Sequence, residues 1–355
     1  MSKKRQVAVV SVLASSVYLA GCGLFESNEA IDPPQTVSYL EDGEAVETTG
    51  EEANPTSSIS TEAPEGSVRT DLFLISADGY VVPQSFDLPE GENAAQQALD
   101  YLVDGGPITN LLPNGYRAVL PADTEVTVKM DGETAVVDFS NEFATYAPED
   151  EQHILQSITW TLTQFDGVKN VKLSLNGEEL TEMPVDGTPI AANGTSRGMG
   201  INLLASDLVD ITNTKPVVVY YLTQTAGGYD YVPVTTRISS ESTNASTEIV
   251  QELIEGPAFT SSLVSDFMPG VALVSEPTIA DGTLTLNFNE GILMNMEDRI
   301  VSSHTLNALT LSLTEQPGIE RITIQVNGEM VEATDDGTSL ISPVTRPENV
   351  NTGSY

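Results

Sequence analysis

The chain has 355 residues, enough for two ordinary domains, and its hydrophobic fraction of 40% supports sizeable cores. Its 52 acidic and 14 basic residues give a formal net charge of −38, which repels nucleic acid and anionic lipid headgroups and excludes nucleic acid as a partner. We favour adaptation of an exported protein to salty or alkaline surroundings as the reason for this acidity. A basic partner and a cloud of divalent cations are the alternatives.

The N-terminus has the pattern of an export signal. Lys3, Lys4 and Arg5 precede an uncharged, apolar or small stretch over 7–20 that is too short for a membrane-spanning helix of about 20 residues. It ends at Leu19-Ala20-Gly21-Cys22, which resembles the lipobox of bacterial lipoproteins. We therefore predict a lipoprotein signal peptide over 1–21 and lipidation of Cys22. An ordinary signal peptide with a chance cysteine is the alternative.

Lipidation of Cys22 would fix the chain to a membrane. A diacylglyceryl group places two acyl chains in the bilayer, and two chains give stable anchoring where one holds only marginally. Since Cys22 is the only cysteine, the chain makes no internal disulfide and no thiolate metal site. Residues 22–67 are rich in Glu, Asp, Pro, Ser and Thr, a composition that predicts an acidic disordered tether.

The rest of the chain contains a repeat of about 150 residues. Three segments recur in the same order and at a nearly constant offset: LDYLVDGGP with VQELIEGP, DGETAVVDF with DGTLTLNF, and DGVKNVKLSLNGE with QPGIERITIQVNGE. The exits also match, since SRGMGIN at 196–202 resembles TRPENVN at 345–351. We infer two homologous domains, 68–202 and 214–351.

Each copy begins with two predicted strands and a helix. The strands cover 71–76 and 80–86 in the first copy, and 217–223 and 229–238 in the second. Asn93 and Asn244 are placed to cap the helices that follow. Gly105 and Gly256 are expected to end these helices, each closely followed by proline.

A hairpin, a second helix and a last strand complete each copy. Asp131-Gly132 and Asp281-Gly282 lie between β-rich stretches and predict type I′ turns. The second helix of the first copy is expected after Pro148, and the last strands are expected to end at Asn176-Gly177 and Asn327-Gly328. The order β-β-α-β-β-α-β predicts an α+β fold, two tandem two-layer sandwiches with a mostly antiparallel sheet and the helices on one face.

This combination resembles the GerM family of sporulation and germination proteins, which carry two GerMN domains. The residues that carry the resemblance are LVDGGP and LIEGP, and LSLNGE and IQVNGE, in both copies behind a lipobox. The resemblance implies a spore-forming Gram-positive bacterium and a role in building the envelope-spanning complex between mother cell and forespore. It also implies a core similar to ring-building motifs, whose units assemble side by side. The family has no established catalytic residues, so none is carried over.

The residues themselves indicate no catalytic site. His153 and His304 occupy matching positions without a second histidine or a cysteine nearby, so we expect structural roles rather than metal binding or pH sensing. No G-x-S-x-G motif is present to indicate a serine nucleophile. We therefore predict no enzymatic activity, no metal and no cofactor.

Two kinds of residue are candidates for contacts. Arg197 and Arg346 recur at the exits of a chain with few basic residues, and we expect each to pair with an acid of its own domain. A contact between domains or with a partner is the alternative. Tyr101, Tyr116 and the tyrosines at 229–231 are aromatic candidates for partner contacts, although burial in the core would explain about half of them.

We therefore expect a lipid-anchored assembly factor on the extracytoplasmic face of the mother-cell membrane, facing the intermembrane space. Its partners would be proteins of a secretion-type sporulation complex, and homo- or hetero-oligomers are possible. We expect the contact surface to be a strand edge or a helix face of the α+β unit. The main alternative is a module that binds peptidoglycan in spore cortex formation or germination. A substrate-binding lipoprotein of a transporter is a further alternative.

Overall fold

The computed structural model describes residues 66–203 and 212–352. The predicted signal peptide at 1–21, Cys22 and all but the last two residues of the predicted tether at 22–67 lie outside the described residues. The described residues belong to one compact unit by their contacts.

The first repeat has two helices and seven strands in the predicted order, with β3 and β7 as short additions. Its elements are β1 (Ser67–Ser76), β2 (Val81–Pro89), α1 (Ala94–Tyr101), β3 (Tyr116–Arg117), β4 (Val126–Asp131), β5 (Thr134–Phe139), α2 (Glu151–Leu162), β6 (Asn170–Leu175) and β7 (Glu178–Glu179).

The second repeat follows the same order and adds several short strands. Its elements are β8 (Thr214–Thr225), β9 (Gly228–Ser239), α3 (Ala245–Glu255), β10 (Thr278–Ala280), β11 (Thr283–Phe288), β12 (Leu293–Asn295), β13 (Ile300–Val301), α4 (Ser303–Thr314), β14 (Arg321–Val326), β15 (Glu329–Met330), β16 (Ala333–Thr334) and β17 (Val344–Thr345).

The predicted α+β class is confirmed, and each repeat divides its main strands between two sheets. In the first repeat β2-β1-β3 form one sheet and β4-β5-β6-β7 the other; in the second repeat β8-β9 and β10-β11-β14-β15 correspond, with β17 also paired to β14. Most pairs are antiparallel, but β5 with β6, β11 with β14 and the short β13 with β16 are parallel. The parallel pairs arise because α2 and α4 cross over between the two strands.

Alternating burial places the cores between sheet and helices. On β5, Ala135, Val137 and Phe139 are buried while the intervening residues are partly exposed, and β11 repeats the pattern. The two cores also interlock, since Val82 of β2 is buried among residues of the second repeat. Burying a side chain of this size contributes about 1.5–3 kcal/mol, so the contact between the repeats is part of the core.

The helix caps are confirmed, with one correction. Asn93 Oδ1 accepts from Gln96 N at 3.0 Å, and Asn244 Oδ1 accepts from Thr247 N at 3.4 Å. Gly256 follows α3 directly with φ of 79°. The prediction for Gly105 is wrong: α1 already ends at Tyr101, and Gly105 takes its positive φ in the turn beyond.

One of the two predicted Asp-Gly turns is of a different type. Asp281 and Gly282 both have positive φ between the paired Ala280 and Thr283, as type I′ requires. In the first repeat Asp131 itself pairs with Thr134, and only Gly132 has positive φ, the type II′ pattern. The pairing register is therefore shifted by one residue relative to the Asp-Gly motif.

Candidate functional site

The exit segments of the two repeats exchange contacts across the junction between them. Asn202 accepts from Val81 N at 2.8 Å and donates through Nδ2 to Val81 O at 2.7 Å, both on β2 of its own repeat. The same Nδ2 donates at 2.8 Å to Pro233 O on β9 of the other repeat. A single buried amide therefore ties the two repeats together.

Asn351 makes the same contacts in the opposite direction. It accepts from Tyr231 N at 2.7 Å and donates to Tyr231 O at 3.0 Å on β9, and it also donates to Pro83 O on β2 at 2.7 Å. The similarity of the exit sequences at 196–202 and 345–351 thus has a structural cause, which is an approximate two-fold relationship between the repeats.

Backbone bonds extend this exchange. Ile201 at the first exit accepts from Thr235 N at 2.9 Å and donates to Thr235 Oγ1 at 2.8 Å. At the second exit, Asn351 O accepts from Ser85 N at 2.9 Å, and Val350 N donates to Ser85 Oγ at 3.1 Å. Each exit therefore binds a strand of the other repeat. We call this set of contacts the exit clasp, formed by 201–202 and 350–351 with β2 and β9.

The two exit arginines converge on one carboxylate. Arg197 Nη1 lies 2.9 Å from Glu315 Oε2, and Arg346 Nη2 lies 3.0 Å from Glu315 Oε1. The Glu315 side chain is 11% exposed. Arg197 also stacks over the Trp160 ring, 4.5 Å from its centroid, and Arg346 over the Tyr220 ring at 5.4 Å.

The expectation for the arginines was right for Arg346 and wrong for Arg197. Arg346 pairs with an acid of its own repeat, whereas Arg197 crosses to the second repeat. The cause is one difference between the copies: Gln164 stands in the first repeat where Glu315 stands in the second. Gln164 bonds to the backbone of Asp71 on β1, at 2.9 Å to its N–H and 2.6 Å to its C=O. The first repeat therefore has no acid at that position for Arg197.

The junction also holds a half-buried carboxyl group. Burial raises the pKa of Asp71, and this effect exceeds the opposite effects of a hydrogen bond from Ser85 and of the charges of Arg346, Arg197 and Arg69. Asp71, Glu315 and the two arginines line one open pocket. Since each arginine already has a carboxylate or hydroxyl partner, we assign these residues to holding the repeats together.

A second cleft lies between the 113–116 segment of the first repeat and the β8–β9 hairpin of the second. It has a volume of about 370 Å³. Tyr116 and Gln84 both donate to Asp230 Oδ2, Gln84 through Nε2 at 3.1 Å. Burial, followed by this contact with Asp230, raises the pKa of Tyr116.

The candidate tyrosines divide between core and surface. Tyr101 packs against the first core and Tyr231 is buried, whereas Tyr229 is 46% exposed at the cleft. Burial raises the pKa of Tyr231 to about 12. Tyr116 is partly buried like Tyr101, so Tyr229 is the exposed tyrosine of the predicted set.

The histidines occupy equivalent positions on α2 and α4 but differ in their surroundings. Burial lowers the pKa of His153, and Arg117 lowers it further while Asp150 raises it. His304 Nδ1 lies 2.9 Å from the Tyr231 hydroxyl, and its ring packs edge-on against Tyr229. In the part of the chain that the structure describes, no group of three or more His, Cys, Asp or Glu side chains is placed to hold a metal ion.

Side chains cap several strand edges. Gln96 on α1 donates to Val126 O and accepts from Val128 N, both at 2.7 Å, along the free edge of β4. In the second repeat the residue equivalent to Val128 is Pro277, which precedes β10 and has no N–H to donate. Edges closed in this way resist pairing with another chain. The structure thus argues against strand addition at these edges, one of the contact modes expected from the sequence.

The sequence analysis missed the residues that organise the junction. Asn202, Asn351 and Glu315 were not singled out, although the repeated asparagine that closes each exit was visible in the sequence. No signal could have identified Glu315 among 52 acidic residues. Cys22, the predicted lipidation site, lies outside the described residues. Within 66–203 and 212–352, no helix has the length and hydropathy needed to cross a membrane.

Comparison with known proteins places the chain in a family. The family model Germane, described as sporulation and spore germination, matches residues 39–181 and 218–332. The spore germination protein GerM of Bacillus subtilis (strain 168) is 45% identical over 367 aligned residues, covering all of both chains. The solved tandem GerMN domains of the sporulation protein GerM from Bacillus subtilis share 48% identity, cover 81% of this chain and all of that one, and have a TM-score of 0.75. The chain therefore belongs to the Germane family of sporulation and spore germination proteins, with two tandem GerMN domains.

Proposed function

We propose that this protein is a lipid-anchored, non-enzymatic component that assembles or stabilises the envelope-spanning complex between mother cell and forespore. Family membership supports the sporulation role. The N-terminal sequence supports the anchor, with Cys22 carrying the lipid on the extracytoplasmic face of the mother-cell membrane.

The exit clasp supports a scaffolding role because it makes the two repeats one body. Asn202 and Asn351 are buried, and the salt bridge of Arg197 with Glu315 adds a charged contact between the repeats. A rigid pair presents its two outer surfaces at a fixed separation, so binding a partner costs no conformational entropy for ordering the two repeats.

The observation that carries the proposal is the unequal distribution of exposed apolar side chains. Among the described residues, most of the large hydrophobic side chains that are exposed belong to the second repeat: Tyr229, Phe259, Val264, Met268, Val274, Ile279, Met294, Met296, Met330 and Ile341. The others are Val68, Leu111, Met130 and Leu203. Exposed apolar groups, methionine and aromatic residues above all, are enriched where proteins bind one another.

Phe259 is the most exposed of these side chains. Its side chain is as exposed as in an unfolded chain, and it lies in the segment that follows α3. Leu111 lies in the corresponding segment of the first repeat and is 37% exposed. The duplication therefore offers two apolar positions in corresponding segments with different exposure.

The test is photo-crosslinking in sporulating cells. A photoreactive phenylalanine analogue at position 259 should give a specific adduct with an envelope protein of the sporulation complex, and the same group at position 111 should give little. Cys22→Ser should abolish both the membrane association and the adduct. A protein that fractionates with the membrane despite Cys22→Ser, or that binds purified sacculi but no protein, would contradict the proposal.

A further inference from the structure

We propose that the cleft between the repeats binds a primary ammonium group, carried by a lysine side chain of a protein partner. The cleft is lined by Tyr116 from the first repeat and by Tyr229, Asp230 and Tyr231 from the β8–β9 hairpin, and Asn349 closes one side. The inference rests on the proposed function only in taking the partner to be a protein.

Asp230 is a buried carboxylate without a cationic partner. Its residue is 7% exposed. Its Oδ2 accepts from both Tyr116 and Gln84, whereas no described residue donates to its Oδ1. Among residues 66–203 and 212–352, no lysine or arginine forms a salt bridge with it. A buried charge is costly unless it is paired, so a cation is the expected ligand.

Gln84, the residue behind Asp230, has an unused acceptor. Its side chain is 1% exposed, and Gln84 Oε1 is buried without a hydrogen-bond partner among the described residues. Most buried polar side-chain atoms have a partner. Two acceptors without described donors, Asp230 Oδ1 and Gln84 Oε1, thus occur on two side chains that bond to each other, of which Asp230 lines the cleft.

The duplication supplies an internal control. β2 and β9 align through Pro83 and Pro233. In this alignment Asp230 is equivalent to Tyr80, and Gln84 is equivalent to Val234. Val234 is a buried apolar residue of the second core. The fold therefore does not require a carboxylate or an amide at these positions, and the polar pair is specific to this side of the junction.

The geometry favours an ammonium group over a guanidinium. Arginine binds carboxylates best through both oxygens, but Oδ2 of Asp230 already accepts two hydrogen bonds. An ammonium needs only one carboxylate oxygen, and Asp230 Oδ1 accepts from no described residue.

The lining also favours lysine over an amine with an adjacent carboxylate, as in cell-wall peptides. Neither this cleft nor the neighbouring one includes a lysine or an arginine, and Asp78 adds a second acid nearby. A carboxylate beside the amine would therefore find no positive group to bind and would meet like charge.

The test is an NMR titration of the isotope-labelled full chain in mild detergent. The probes are Nα-acetyl-lysine methylamide, its Nε-acetylated form, Nα-acetyl-arginine methylamide, and a cell-wall stem tripeptide with diaminopimelate. The lysine compound should shift the amide signals of 114–116 and 223–231, and Nε-acetylation should weaken binding at least tenfold. Asp230→Asn should do the same, while Glu241→Gln, an exposed acid elsewhere, should leave the affinity within about twofold.

Every other result overturns the inference. No binding of the lysine compound at 20 mM or below, equal binding of its acetylated form, or shifts confined to other residues would exclude the site. Tighter binding of the arginine compound would assign it to guanidinium, and tighter binding of the stem tripeptide would assign it to the cell wall. Retained signal dispersion in Asp230→Asn shows that a loss of affinity is not unfolding. A failure here leaves the crosslinking at Phe259 unaffected, so the two proposals fail separately.

Discussion

Asn202 and Asn351 are equivalent residues of the two repeats, and each spans the junction by bonding to a strand of both. Asn202 bonds to Val81 and Pro233, and Asn351 bonds to Tyr231 and Pro83. Val81 is equivalent to Tyr231, and Pro83 is equivalent to Pro233. The two asparagines therefore make equivalent hydrogen bonds, each to its own repeat and to the other one. The junction is therefore built from one interaction used twice.

Asn351→Ala should lower the free energy of unfolding by about 2–4 kcal/mol, because it leaves the backbone groups of Tyr231 and Pro83 buried without partners. Urea denaturation measures the change. Asn202→Ala should cost more, since Asn202 has φ of 47° and alanine adds backbone strain there. Asn202→Gly is the control that removes the side chain without the strain. A loss below about 0.5 kcal/mol for Asn351→Ala would show that the exit clasp does not hold the repeats.

Arg197 and Glu315 should show a measurable coupling between the repeats. A double-mutant cycle with Arg197→Met and Glu315→Gln is expected to give about 1–2 kcal/mol, since Glu315 is largely buried and its partner only one-third exposed. The exposed pair Lys169 and Glu133 serves as the control and should give less than about 0.5 kcal/mol. Equal couplings for the two pairs would contradict the assigned role of Glu315.

Protonation of Glu151 should account for part of the loss of folding stability in acid. Burial acts to raise the pKa of Glu151, but hydrogen bonds from the backbone of Asp186 and Thr188, from the Thr188 side chain and from Tyr146 outweigh it and lower the pKa to about 2. The folded state therefore holds fewer protons than the unfolded state between pH 4.5 and 2. Its stabilisation, about 3 kcal/mol, is present above pH 4.5 and lost as the pH falls toward 2.

Glu151→Gln tests this directly. The variant should be less stable at pH 7, and the difference from the unmodified chain should shrink as the pH falls from 5 to 2. Urea titrations at several pH values measure both quantities. Glu149→Gln changes an exposed neighbour and should leave the acid limb unaltered. A pH-independent difference for Glu151→Gln would show that the carboxylate contributes through packing rather than charge.

Gln96→Ala should open the edge of β4 to other chains. The variant loses the side chain that bonds to Val126 and Val128, and an uncapped edge promotes pairing between molecules. We expect concentration-dependent self-association, measured by light scattering and thioflavin-T fluorescence. Gln97→Ala removes a neighbouring side chain without uncapping the strand and should remain unassociated. Equal behaviour of the two variants would mean that Gln96 has no protective effect.

Features set by neighbouring residues were the ones that sequence could predict. The caps at Asn93 and Asn244 and the strand ends at Asn176 and Asn327 depend on a few consecutive residues, and the structure contains all of them. The predicted type of the turn at Gly132 was wrong because the pairing register of β4, not the Asp-Gly motif, decides the turn type.

Contacts between distant residues were not predictable in the same way. The partner of Arg197 depends on which residue occupies position 164, on α4 reaching the junction, and on the two-fold relationship of the repeats. The Asp230 site likewise joins Tyr116, Gln84 and Asp230 from three separate segments. A single sequence carries no sign that these segments meet.

The exit clasp has a consequence for growth into larger assemblies. An interface in which each side offers what it receives is complete with two members, as in a symmetric dimer. Because one polypeptide supplies both members, this face has no free surface with which to bind a third repeat. A ring or filament of such proteins would have to propagate through a different face.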